Sequence, residues 1–91
     1  MELIYKNIAL GMIVVTNRES FWIFGDFYAY LSAMDYKDFF DALVCEDGFS
    51  ELEFDKDLLN EDNWFVSENG NYKGISCPAI YEDNEIIFRY R

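Results

Sequence analysis

The stretch that decides the fold is the amphipathic segment at residues 35–47, which reads DYKDFFDALVCED. Its apolar residues recur at the i, i+3, i+4, i+7, i+8 spacing that places side chains on one face of a helix. They are Tyr36, Phe39, Phe40, Leu43 and Val44. Asp35 suits the N-cap, and the carboxylate of Asp38 suits the positive end of the helix dipole. The segment predicts a helix that lies across a sheet and ends before Gly48.

Before this helix, the chain indicates two extended segments. Residues 2–16 are rich in isoleucine and valine, which favour strands, and Gly11 is a point where that strand could break. After a short polar turn, residues 21–27 (FWIFGDF) return as a second strand. Asp26 could instead cap a short helical turn over residues 28–33, and the sequence leaves both interpretations open.

After the helix, the chain alternates between short extended and turn-like segments. Residues 49–55 place acidic side chains on one side and mostly apolar ones on the other, as a short half-buried strand or an extended loop would. Residues 57–63 suit one helical turn or a loop that carries two leucines inward, and residues 64–66 resume an extended run.

The C-terminal third predicts a hairpin followed by a final strand. Asn69-Gly70 is a strong signal for a type I′ turn, which needs positive φ at both central residues. A strand over residues 72–81 should pair back across that turn, with an edge or a bulge at Pro78, which lacks a donor for the ladder. Asp83-Asn84 indicates another turn before a last strand that alternates over residues 85–91.

These elements predict an α+β fold, mainly an antiparallel sheet with one principal helix at about residues 35–47 on one face. The chain has 91 residues, of which 52% are hydrophobic and 20% aromatic, so residues 1–91 should form a single domain with its own core. No run approaches the roughly 20 apolar residues that span a bilayer. We therefore expect a cytoplasmic protein with no membrane contact and with reduced thiols.

The composition argues against the common catalytic classes. Histidine is absent, which removes the usual general base, the usual zinc ligand and every His-based triad. Cys45 and Cys77 have no third and fourth ligand for a tetrahedral metal site. The glycines form neither a phosphate-binding loop nor a dinucleotide fingerprint. We expect no enzymatic activity, no cofactor and no metal.

Charge is the strongest functional signal. The net charge is −11, so direct binding to nucleic acid is disfavoured by repulsion from the phosphates. Residues 35–62 hold eleven carboxylates against Lys37 and Lys56. If most of them face solvent on neighbouring elements, they form one negative patch that speeds encounter with a basic protein. The same run could instead serve solubility alone, and a Ca²⁺ site or an acid–base pair finds little support in its spacing and polarity.

The predicted partner-binding residues combine these acids with two aromatic anchors. The acids are Asp38, Asp41, Glu46, Glu51, Glu53, Asp55, Asp57, Glu61 and Asp62. The aromatic anchors are Trp22 and Tyr28, from a stretch whose two strand faces both carry aromatic bulk. Aromatic side chains within a charged rim are typical of protein-binding surfaces.

Three features of the chain occur together: the acidic block at residues 35–62, the aromatic stretch FWIFGDFYAY and the closing run GISCPAIYEDNEIIFRYR. With these features, the chain resembles the small acidic immunity proteins that accompany bacterial toxins of the contact-dependent and polymorphic kinds. The resemblance implies one-to-one binding of a cognate toxin domain, often a basic nuclease, and transfers no residue by position. Two alternatives stay open: a DNA-mimic inhibitor of a nucleic-acid-acting protein, and a homo-oligomeric structural protein, for example a homodimer.

Overall fold

A computed structural model describes residues 1–44 and 55–91 of the chain. The described residues form seven strands: β1 (Glu2–Tyr5), β2 (Ile8–Glu19), β3 (Trp22–Ala29), β4 (Trp64–Glu68), β5 (Asn71–Gly74), β6 (Ala79–Ile80) and β7 (Glu85–Arg89). A 3-10 helix at Leu31–Tyr36 runs directly into α1 (Lys37–Leu43). A single turn of helix, α2 (Lys56–Leu59), and a 3-10 turn at Glu61–Asn63 follow. The predicted α+β class with one principal helix is confirmed.

All strand pairs are antiparallel, in the order β5-β4-β1-β2-β3-β7-β6. The sheet is strongly curled, so that the chain just after the edge strand β5 meets the chain just after β7. Ile75 forms an isolated bridge with Tyr90, and the Ser76 amide donates to the carbonyl of Arg89 at 2.9 Å. The curl gives the sheet a concave inner face and a convex outer face.

The inner face holds the core, and Trp64 lies within it with no exposed surface. Its ring centroid lies 4.8 Å from that of Tyr5 and 6.2 Å from that of Phe39, with which it is stacked. Phe40 meets it edge-on at 5.8 Å. Its indole Nε1 donates to the carbonyl of Leu58 at 2.8 Å, so the one polar atom of the buried ring is satisfied. Both the apolar face of α1 and the helical turn α2 therefore contact Trp64.

The principal helix begins earlier than residue 35, where the sequence predicted it. Helical structure starts at Leu31 as a 3-10 helix, in which Asp35 is an internal residue, and no side chain caps the following α1. The predicted cap at Asp35 is therefore wrong. The buried Phe39 and Phe40 confirm the predicted apolar face. Residues 45–47, the predicted end of the helix, lie outside the described residues.

The first extended segment turns at Lys6, whose φ is 56°, and not at Gly11. Gly11 lies within β2, opposite Leu3 on β1 and Ala29 on β3. A Cβ added there would lie 2.5 Å from the ring of Phe27 and 2.6 Å from a backbone oxygen. This glycine is needed for close packing of the sheet and not for a break in it. The strand interpretation of residues 21–27 is the correct one, because β3 runs through Asp26.

The predicted hairpin at Asn69-Gly70 is confirmed, with φ of 54° and 82° at the two residues. The strand predicted over residues 72–81 is two strands: β5 pairs with β4, and β6 pairs with β7. The buried Pro78 lies immediately before β6, which is an edge strand as the missing donor predicts. The strand predicted over residues 49–55 falls almost wholly outside the described residues.

Candidate functional site

Six of the nine predicted acidic residues belong to the described part of the chain. They are Asp38, Asp41, Asp55, Asp57, Glu61 and Asp62, and all six are exposed. The other three, Glu46, Glu51 and Glu53, lie outside the described residues. The described acids fall on α1 and on the turns at 55–63, which are the elements attached to the inner side of the sheet.

Three of these acids form ion pairs within the molecule. Asp57 contacts the Lys6 ammonium at 2.7 Å, which ties α2 to the turn after β1. Asp41 contacts Lys37 at 2.8 Å, one helical turn away on α1. Asp62 lies 3.4 Å from the guanidinium of Arg91. The hydrogen bond from each lysine to its aspartate raises the pKa of Lys6 and of Lys37 above the usual lysine value.

Two further acids satisfy backbone amides. Asp55 is the N-cap of α2, where its side chain accepts from the amide of Asp57 at 3.0 Å. Glu61 accepts from the amide of Cys77 at 3.2 Å. Within residues 1–44 and 55–91, only Asp38 among the six makes neither an ion pair nor a hydrogen bond. Most of the described acidic run therefore serves local structure.

The two predicted aromatic anchors lie on the convex outer face of the sheet. We define the outer face by its residues on β2, β3 and β7, as the strand register places them: Met12, Val14, Asn17, Glu19, Trp22, Phe24, Asp26, Tyr28, Glu85, Ile87 and Arg89. Four of them are exposed and mainly apolar: Met12 by 47%, Val14 by 48%, Trp22 by 46% and Tyr28 by 58%. Tyr28 lies directly opposite Met12, and Trp22 lies at the other end of β3.

Two carboxylates lie directly opposite each other on the outer face, at the end of the β3–β7 pairing. The register pairs Asp26 on β3 with Glu85 on β7, and Val14 flanks Asp26 from β2. Both acids are exposed, and no Lys or Arg of the described chain forms an ion pair with either. Like charges in this arrangement repel, because opposed Cβ atoms on antiparallel strands are only about 4.5–5.5 Å apart.

A shallow groove of about 720 Å³ opens beside the outer face. It is lined on one side by Trp22, Phe24 and Arg89, and on the other by Glu61 and Cys77. The guanidinium of Arg89 lies 5.8 Å from the ring centroid of Trp22. The structure thus brings together one predicted aromatic residue, Trp22, and one predicted acid, Glu61. Tyr28 lies outside this groove, at the opposite end of the outer face.

The chemistry of the groove does not favour catalysis. Burial, and then the nearby carboxylate of Glu61, raise the pKa of the Cys77 thiol to about 11. At neutral pH this thiol is protonated and a poor nucleophile. Its Sγ donates to the carbonyl of Leu58 at 3.2 Å, which gives it a structural role.

A second cavity of about 390 Å³ lies between α1 and the sheet. Phe27, Phe40 and Ile80 line it, and the Lys37–Asp41 ion pair lies at its rim. In the part of the chain that the structure describes, no three Cys, Asp or Glu side chains come together as metal ligands would. Among the same residues, no helix has the length and apolar character needed to span a membrane.

No protein-family model, curated protein or solved structure matches this chain. The outer face contains Trp22 and Tyr28, which the sequence singled out, together with Met12, Val14 and the Asp26/Glu85 pair, which it did not. The signal was present in the aromatic bulk on both faces of residues 21–27, yet which acids would join it depends on the pairing of β3 with β7.

Proposed function

We propose that this chain is a non-enzymatic binding protein that neutralises a basic protein, in the manner of an immunity protein bound to its cognate toxin domain. The observation that carries the proposal is the excess of exposed acid over cations, set beside exposed aromatic side chains. All seven Lys and Arg side chains belong to the described residues, against fourteen of the eighteen acids.

Those cations offset only part of the acid. Lys6, Lys37 and Arg91 each neutralise one acid in an ion pair. Lys73 and Arg89 lie over the rings of Tyr90 and Trp22. A surface with this imbalance attracts basic proteins at long range, which raises association rates by about 10- to 1000-fold at low ionic strength. Exposed aromatic side chains then supply the desolvated contacts that hold a complex together.

The DNA-mimic alternative is less well supported by the described acids. A mimic needs rows of solvated carboxylates that stand in for phosphates. Asp41, Asp57 and Asp62 contact cations of the same chain, and Asp55 and Glu61 accept backbone amides. Carboxylates engaged in this way suit a surface shaped to one protein partner better than a regular row.

The test begins with the reading frame beside this chain's gene. If that frame encodes a toxin-like domain, expression of the domain alone should arrest bacterial growth, and co-expression of this chain should restore it. Association of the two purified proteins should slow by at least tenfold between 50 and 500 mM NaCl, because salt screens the steering. A chain that neither restores growth nor binds the domain would contradict the proposal.

A further inference from the structure

We propose that the outer face is the docking surface for the basic partner, with a lysine or arginine of that partner lying between Asp26 and Glu85. This inference rests on the proposed function and names the surface that performs it. It moves the binding site from the acidic run of residues 35–62, where the sequence placed most of it, to a separate face of the sheet.

The outer face exposes a large amount of apolar side-chain surface. Met12, Val14, Trp22 and Tyr28 are each about half exposed, and Phe24 and Ile87 lie partly exposed between them. They occupy adjacent positions on three neighbouring strands, so they form one convex patch and not scattered residues. A contiguous apolar patch bordered by charged residues is typical of a protein-binding surface.

Negative charge lies within that patch. Asp26 and Glu85 repel each other in the free protein, and no described cation relieves the repulsion. One cationic side chain placed between them would turn a repulsive pair into two favourable contacts. Glu19, opposite Trp22, and Glu2, opposite Met12, add further negative charge along the same face.

The same charges argue against a second copy as the occupant. Two copies of the chain repel each other at long range, because each carries a net charge of −11. Arg89 is the one Lys or Arg that the described register places on this face, and it lies over Trp22. The complementary surface is therefore cationic, with apolar groups around its charge, as on a basic protein.

The test uses the full chain and a phage-displayed library of random 12-residue peptides as the probe. Peptides selected by the wild-type chain should be enriched in Arg or Lys next to apolar residues. Their affinity for the double variant Asp26→Asn/Glu85→Gln should fall at least tenfold. The matched control, Asp35→Asn/Glu68→Gln, removes the same two charges from exposed positions off the outer face and should keep its affinity within about twofold.

Three results would overturn the inference: no selected peptides, selected peptides without cationic residues, or an equal loss of affinity in both double variants. Light scattering that shows a concentration-dependent dimer, abolished by Met12→Glu, would assign the face to a second copy and also overturn it. Growth rescue reports on the proposed function separately. If the Asp26→Asn/Glu85→Gln variant still neutralises and binds the toxin domain as the wild type does, the function stands and this surface does not.

Discussion

Both faces of the β2–β3 hairpin carry apolar and aromatic side chains, but one face is buried in the core and the other is exposed to solvent. On the inner face, Ile13, Ile23 and Phe27 are no more than 4% exposed. On the outer face, Met12 and Tyr28 are 47% and 58% exposed, although they alternate with those core residues along the same strands. Folding stability thus comes mainly from one face, while the apolar surface of the other stays about half exposed.

Hydrophobic character on both sides of a strand therefore does not by itself indicate burial on both sides. The acids also fall into two kinds. Asp57 and Asp62 are held by cations of the same chain, whereas Asp26 and Glu85 oppose each other on the outer face. Acids of the first kind are neutralised within the fold, and those of the second kind form no ion pair with a cation of the described residues.

The largest expected effect tests the inner face at Trp64. Trp64→Ala should lower the free energy of unfolding by about 3–5 kcal/mol, because it removes the fully buried ring that contacts Tyr5, Phe39 and Phe40. Urea denaturation followed by circular dichroism measures the change. Tyr72→Ala, at a residue of β5 that is 58% exposed, is the control and should cost about 1 kcal/mol or less. Equal losses in the two variants would refute the distinction between the faces.

The next effect tests the strand register that defines both faces. Gly25→Ala places a Cβ 2.7 Å from the carbonyl oxygen of Val14 and 3.1 Å from Ile13 Cγ2, so the hairpin must shift. We expect a loss of about 1–3 kcal/mol by urea denaturation. Gly70→Asn is the control: nothing lies within 4 Å of an added Cβ there, so its smaller loss should come only from the positive φ of 82°, which Asn adopts more readily than most residues. A fully stable Gly25→Ala variant would show that the pairing of β2 with β3 is incorrect.

A smaller effect of opposite sign tests the outer face. Asp26→Asn/Glu85→Gln should raise the free energy of unfolding by about 0.2–1 kcal/mol, since it relieves repulsion across the β3–β7 pair. The gain should be greatest near 10 mM salt and shrink at 0.5 M, where the charges are screened. Urea denaturation at the two salt concentrations measures it. A loss of stability at low salt would mean that these carboxylates make favourable contacts in the free protein.

Much of the fold could be predicted from the sequence, because several signals are local. The apolar spacing of Phe39 and Phe40 gave the helix and its buried face, and Asn69-Gly70 gave the hairpin. The 3-10 start at Leu31 and the division of the last long strand into β5 and β6 could not be predicted. Both depend on tertiary contacts, since the chain after β5 bends to meet the end of β7.

The candidate site could be predicted less well than the fold. The sequence places Asp57 and Asp62 in a run of acids, but their cations, Lys6 and Arg91, lie 51 and 29 residues away along the chain. Asp26 and Glu85 are even further apart in sequence and become neighbours only through the register of β3 and β7. Local charge density was therefore a poor guide to which acids are free.

The smallest expected effect on stability is that of a conservative substitution at Val14 on the outer face. Val14→Thr keeps a β-branched side chain at a position that is 48% exposed, so the free energy of unfolding should change by no more than about 0.5 kcal/mol. The neighbouring Ile13→Thr is the control. Ile13 is 2% exposed, and a hydroxyl placed in the core should cost several times more.

Because Val14→Thr leaves the fold and the net charge intact, it also separates the apolar contribution to binding from the electrostatic one. We expect the association rate with the basic partner to stay the same and the dissociation rate to rise, since buried apolar contacts act mainly on dissociation. Stopped-flow kinetics measures both rates. A Val14→Thr variant with unchanged dissociation would mean that the apolar part of the outer face does not contact the partner, and that charge alone guides binding there.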